Sequence, residues 1–332
     1  MDKRQFMISA AGFAIGAAGL AAPAIAQART KVRVGYLHVV ACDGHIWTGL
    51  DRGAFDKHGL DFELFEYNTG PEVFAALANG EIDLLSAGGV ISNYLALGQG
   101  RAFLMNDVEV ATAQLWVRPD QGVSTFADLK GKRIATTAKT TAHIFLDSAL
   151  RTNDVRLSEV ELVNSSMSTA VASFIAGDVP AVALWVPFNV IVRDKLPGAI
   201  KLVDASAYYP QSAVVGGWVA SNDYYSDNKE TLTKIIRGWV EANDYMVRNS
   251  SAAAAALQKN HYSQTPMSDI NESFKAQKLF SSREWKRLYS DGTVIKWLQQ
   301  VTDFFMADAK VTDSIPASKY FDPSLYLTVI PQ

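Results

Sequence analysis

From Val32 onward, short β-branched runs alternate with segments of helical periodicity, and the alternation runs twice in succession. The first pass has strands at 32–36, 61–67, 82–86 and 102–108. Between them lie helical segments at 46–60, closed by Gly59, at 71–80, opened by Pro71, and at 90–100. Glycine just past a helix and proline in its first turn are the usual stop and start signals. A strand at 112–118 follows. After Pro119 the rhythm restarts, with strands at 133–137, 160–164, 181–185 and 200–204 separated by helices over 140–153, 168–178 and 187–195. Such alternation predicts an α/β chain with a mainly parallel sheet flanked by helices in each half, because parallel neighbours need a crossover.

The segment "VVGGWVAS" (214–221) reads as a strand that returns to the first half. Beyond it the chain is mainly helical, and Leu232, Ile235, Ile236, Trp239 and Val240 make one apolar face. The expected division is lobe one over 29–117 plus 219–332, including the C-terminal helices, and lobe two over 118–218, with crossings near 117–121 and 213–219.

The length of 332 residues suits two domains, and 48% hydrophobic with 20% charged residues is ordinary for a soluble chain. The net charge is −3 and no Lys/Arg block stands out, which gives nucleic acid nothing to bind. One cysteine, Cys42, excludes an internal disulfide and cysteine-rich metal clusters, and reads as a small buried residue. There is no GxSxG, HExxH, P-loop or dinucleotide fingerprint, so no catalytic residue, metal or cofactor is expected.

Residues 1–28 stand apart. Asp2-Lys3-Arg4 precedes an Ala/Gly-rich apolar stretch that ends in Ala24-Ile25-Ala26, the pattern of a secretory signal peptide. "DKRQFMI" resembles a twin-arginine export signal with Lys3 in the place of the first arginine, so both Tat and Sec routes stay open. No cysteine marks a lipoprotein. The expected location is the periplasm.

The order of motifs resembles the sulfonate/nitrate/taurine-binding group of periplasmic solute-binding proteins, which serve ABC importers and are related to thiamine-pyrimidine precursor binders. The residues that carry this likeness are "VGYLHVV", "GLDRGAFDKHGL", "ALANGEIDLLSAGG", "FADLKGKRIATT", "AGDVPAVALWVPF" and "KYFDPSLY". Pro180 stands where that group has Asp, and "VVACDGH" departs from its usual pattern. The resemblance implies a two-lobed clamshell of the type II periplasmic-binding-protein kind and a small, anionic organic solute between the lobes. It also implies an ABC permease in the inner membrane as partner, and a monomer. Two rivals remain: an enzyme on the same fold, of the pyrimidine-precursor or menaquinone-biosynthesis type, and a sensory binding module.

Ligands of open parallel sheets sit outside the carboxyl ends of the strands. That rule selects the candidate contacts. Gly88 and Gly89 form a bare bend after one strand, where backbone amides and a helix start suit an anion. His38, Asp43, Gly44 and His45 lie on an expected loop after the first strand, with Asp43 alternatively a helix cap. Lys139, Thr140 and Thr141 hold the equivalent turn of lobe two, Lys139 alternatively a solvated surface lysine. Ser165 follows another strand. Trp185 and Trp218 end strands and are candidates for an apolar wall or for the core.

Overall fold

The computed structural model describes residues 29–211, 213–309 and 313–330. The expected leader at 1–28 lies outside the described residues. In chain order the first part holds β1 (Thr30–Leu37), α1 (Val40–Asp51), β2 (Leu60–Tyr67), α2 (Gly70–Ala78), β3 (Leu84–Ala87), α3 (Ile91–Ala96) and β4 (Arg101–Val108). The second part holds β5 (Ala113–Val117), β6 (Arg133–Thr136), α4 (Thr141–Thr152), β7 (Glu161–Asn164), α5 (Met167–Ala176), β8 (Ala181–Trp185), α6 (Phe188–Lys195) and β9 (Ile200–Asp204). There follow β10 (Val215–Ala220), α7 (Asn222–Asp227), α8 (Lys229–Arg248), α9 (Ser250–Asn260), α10 (Met267–Ala276), α11 (Ser282–Ser290), α12 (Thr293–Ala309), α13 (Ala317–Tyr320) and α14 (Ser324–Val329). None of the described helices is long and apolar enough to cross a membrane.

The strands build two mixed sheets, ordered β2-β1-β3-β10-β4 and β7-β6-β8-β5-β9. In the first, β10 runs antiparallel to β3 and β4 while β1 pairs in parallel with β2 and β3. In the second, β5 runs antiparallel to β8 and β9 while β6 pairs in parallel with β7 and β8. The single antiparallel strand of each sheet is thus the one that arrives from the other lobe. Each sheet has its own apolar core. Val34, Leu84, Leu104 and Trp218 belong to the first, and Leu115, Ile134, Leu146 and Val182 to the second.

Local signals explain several boundaries. Thr69 and Glu72 form a reciprocal capping box at the start of α2, with Pro71 in the first turn. Gly177 closes α5 in the left-handed region that a side chain would resist.

Three expectations need correction. The stretch at Val40–His45 is helix and not loop, so Asp43, Gly44 and His45 sit on α1. Cysteine, aspartate and glycine are weak helix formers, but burial of this stretch overrides propensity. A Cβ on Gly44 would lie 3.3 Å from Met246 of α8, so the glycine lets two helices approach. The helix expected over 46–60 stops at Asp51, and the chain turns at Gly53 before a short 3-10 turn ends at Gly59. The third correction concerns the lobe boundaries. β5, assigned to lobe one, is hydrogen-bonded into the second sheet, and all of β10 lies in the first. Pro119 marks the end of a strand, whereas the switch of sheet occurs earlier, at 109–112, and the return at 205–214.

The two crossings run side by side. The amide of Glu109 donates to Val214 O at 2.9 Å, and those of Val108 and Ala111 donate to Lys278 O and Ala276 O at 3.1 and 2.8 Å. The end of α10 therefore braces the outgoing crossing.

Candidate functional site

The carboxyl ends of strands from both sheets open onto one cleft of about 500 Å³. Lobe one contributes Leu37–Cys42 from the end of β1 to the start of α1, Glu66–Gly70 from the end of β2 to the start of α2, and Gly88 and Val90 after β3. Lobe two contributes Thr137, Thr140 and Thr141 before α4, Ser166–Ser168 at the start of α5, and Trp185–Phe188 between β8 and α6. The crossing supplies Glu109 and Thr112, and α10 with the residue after it supplies Ser273, Ala276 and Gln277.

Of the expected contacts, His38, Gly88, Thr140, Thr141 and Trp185 share this cleft. Trp185 and Phe188 meet edge to face with ring centres 5.8 Å apart, an aromatic wall. His38 is partly exposed on the cleft and held from behind. Its Nδ1 lies 2.7 Å from Asp43 Oδ2, and its ring stacks on Tyr262 at 4.3 Å. The bond to Asp43 raises the imidazole's affinity for a proton against the opposing effect of burial.

The other expected contacts are placed elsewhere. Asp43 is fully buried and accepts from Trp47 Nε1 at 2.9 Å and from the Tyr262 hydroxyl, so it orients His38 from behind. Gly44 packs on α8. His45 points into the same helix interface, stacked on Trp239 and 3.1 Å from Asn243 Oδ1. Burial pushes its imidazole down to about 4. His38, Asp43 and His45 therefore do not converge on one point. Trp218 is fully enclosed in the core, its indole N–H donating to Asn106 Oδ1 at 2.9 Å. Lys139 is exposed beside the cleft on left-handed backbone, and the Ser165 hydroxyl turns to Ser166 O.

The Gly88–Gly89 bend is bare for a reason the chain itself supplies. A Cβ on Gly88 would lie 2.7 Å from Glu109 Oε1, and one on Gly89 would overlap Val214 Cγ1. Both crossings press against this bend. The Gly89 amide, expected to meet a solute's anion, donates 2.8 Å to Glu109 Oε1. Thr141 Oγ1 donates to the same oxygen at 3.5 Å. One carboxylate oxygen thus joins lobe one, the crossing and lobe two.

Glu109 is only 4% exposed, and burial pushes its carboxyl up to about 7 against the pull of the Gly89 amide and Thr141 hydroxyl. Asp107, two residues earlier, is fully buried with neither oxygen hydrogen-bonded among the described residues. Burial first, and the nearby Glu109 charge second, hold its carboxyl far above the usual range. Sequence reasoning does not reach Glu109 or Gln277. Glu109 follows a strand whose end gives no sign that the chain then leaves the sheet, and Gln277 lies 168 residues further on.

These features can be set beside known proteins. A binding protein of Brucella abortus (strain 2308) is 25% identical over 300 residues, covering 90% of this chain and 92% of that protein. The alkanesulfonate-binding protein SsuA from Xanthomonas axonopodis pv. citri, solved bound to MOPS, superposes with a TM-score of 0.71 at 20% identity, covering 88% of this chain and 98% of that one. The desulfurization enzyme DszB superposes with a TM-score of 0.66 at 13% identity, covering 91% of this chain and 99% of that one. The two-lobed fold is therefore one that binding proteins and an enzyme share. The sequence model of the family described as NMT1/THI5 like matches residues 45–253. By that match, which spans more than half of the chain, including all of the second sheet, the chain belongs to the NMT1/THI5-like family.

Proposed function

We propose that the chain is the extracytoplasmic solute receptor of an ABC importer, a monomer that closes on a small organic solute and hands it to a permease in the membrane. The observation that carries this reading is the 500 Å³ cleft walled by strand ends of both sheets around a paired crossing. A solute touching both walls favours closure, because only differential affinity for the closed state shifts the equilibrium. The binding proteins of similar sequence and fold support the reading, as does the export-like leader, which fits a periplasmic location.

The polar wall suits a weakly charged solute. Val39 and Thr140 make no side-chain cap, so the starts of α1 and α4 offer free amides to a solute oxygen. His38 adds a donor. Among the described residues no lysine or arginine lines the cleft, so a sulfonate or nitrate would meet no permanent positive charge. An enzyme on this fold that worked through a covalent intermediate would need an activated nucleophile. Cys42 lines the cleft, but burial and the carboxylates of Glu109, Asp107 and Asp43 hold its thiol protonated.

Native mass spectrometry of the purified protein, with calorimetry against sulfonates, carboxylates, amides and pyrimidines, tests the reading. A co-purified or titrated small molecule that also compacts the protein in solution scattering is expected. A protein that carries nothing and binds no member of the panel overturns it.

A further inference from the structure

We propose that the cleft selects a solute bearing N–H donors, neutral or cationic and built on a flat apolar body, with Glu109 and Gln277 as the residues that read those donors. The inference rests on the receptor reading and names its substrate class.

The helix starts and His38 supply the donors of the wall; the acceptors at the crossing and the end of α10 carry the argument. Both hydrogen bonds that Glu109 receives from described residues end on Oε1, which leaves Oε2 for a guest, an acceptor once the carboxyl is ionised. Gln277 is 8% exposed and donates its Nε2 to Ser273 O at 3.1 Å, which identifies the other end of the amide as oxygen. That Oε1 is buried without a partner among the described residues. The Gln277 oxygen is thus an unpaired buried acceptor on the wall that Glu109 also lines, an unfavourable state that a donor relieves. Glu66 adds a second carboxylate to the lining. The amide that would have held a solute's anion at the Gly88–Gly89 bend is occupied by Glu109 itself. A sulfonate placed there would face a carboxylate instead of a donor. Trp185 and Phe188 supply the apolar face on which a planar body stacks.

Four ring compounds that share one benzene body separate the possibilities: benzamidine, benzamide, benzoate and benzenesulfonate. Calorimetry is run with wild type and with Glu109→Gln and Gln277→Ala, each first checked for a cooperative melt. Wild type is expected to bind benzamidine or benzamide at least about tenfold more tightly than benzenesulfonate, the discrimination of about one good hydrogen bond to a charged group. Glu109→Gln should erase most of the benzamidine preference, and Gln277→Ala should weaken both N–H donors. The solute that co-purifies with wild type, identified by native mass spectrometry, should carry an N–H group, a readout independent of any variant. A preference for benzenesulfonate that Glu109→Gln leaves unchanged, or a co-purified anion without N–H, overturns this inference and leaves the receptor reading standing. A protein that neither carries nor binds any small molecule overturns the receptor reading, and this inference falls with it.

Discussion

The Gly89 amide and Glu109 Oε1 lie 2.8 Å apart, a hydrogen bond between the bend after β3 and the first crossing into lobe two. It fills the helix-start position where the bare glycines invite an outside anion. The glycines are needed for the chain's own crossings, and the Gly89 amide is not free to hold a guest.

Substitution Gly89→Ala drives a methyl into the space of Val214 Cγ1. Overpacking of this kind destabilises by about 1–3 kcal/mol. Urea unfolding should show the loss, and Val214→Ala in the same chain should recover part of it, because the two side chains share one space. Additive losses in the double variant would refute the contact.

Glu109 and Asp107 make stability depend on pH in a direction opposite to an ordinary salt-bridged carboxylate. Glu109 titrates near 4.5 when unfolded and at about 7 in the fold, so the folded state holds the proton longer. Below pH 4.5 the two states differ little. As pH rises from about 4.5 to 7 the unfolded chain gains from ionisation first, and stability is lost by up to ~2–3 kcal/mol. Asp107 adds to the loss in the same direction. Denaturant curves from about pH 4 to about pH 8 should show wild type declining relative to Asp107→Asn and Glu109→Gln. Parallel curves for all three would remove the buried-acid account.

His45 behaves oppositely. Its imidazole titrates at about 4 in the fold and near 6.5 unfolded, so it favours the fold fully above pH 6.5 and loses that contribution as pH falls towards 4. Proton NMR at about pH 5 should find His45 neutral, while His38, raised by Asp43, remains charged. A His45 ring already protonated at about pH 6 would mean that its stack on Trp239 is not as close as 4.9 Å.

Two tryptophans should separate binding from stability. Trp218→Ala empties a fully buried site and leaves Asn106 Oδ1 one donor short, for a loss of about 3–5 kcal/mol. Trp185→Ala removes a half-buried wall of the cleft. It should leave the melt within ~2 kcal/mol of wild type and reduce solute affinity about tenfold or more. Equal effects of the two on melting would contradict their different placement.

Much of the architecture is legible from residues alone, because strand and helix identity follows short-range pattern. Val32, Val34 and Tyr36 alternate inward on β1, Pro71 starts a helix, and the run 214–221 reads as a returning strand. The rule that guests meet strand carboxyl ends leads to His38, Gly88, Thr140, Thr141 and Trp185 on the cleft. Local pattern says nothing of which sheet a strand joins, which is why β5 is expected in the wrong lobe. Nor does it show that Val40–His45 winds into α1, so His45 is expected at a cleft it never reaches, and it leaves Trp218 open between cleft wall and core, where the core holds it. Only the tertiary structure brings Glu109, Gly88, Thr141 and Gln277 around one cleft, from positions up to 189 residues apart. Their chemistry depends on burial and on each other's charge, and both are properties of the assembled space and not of neighbours along the chain.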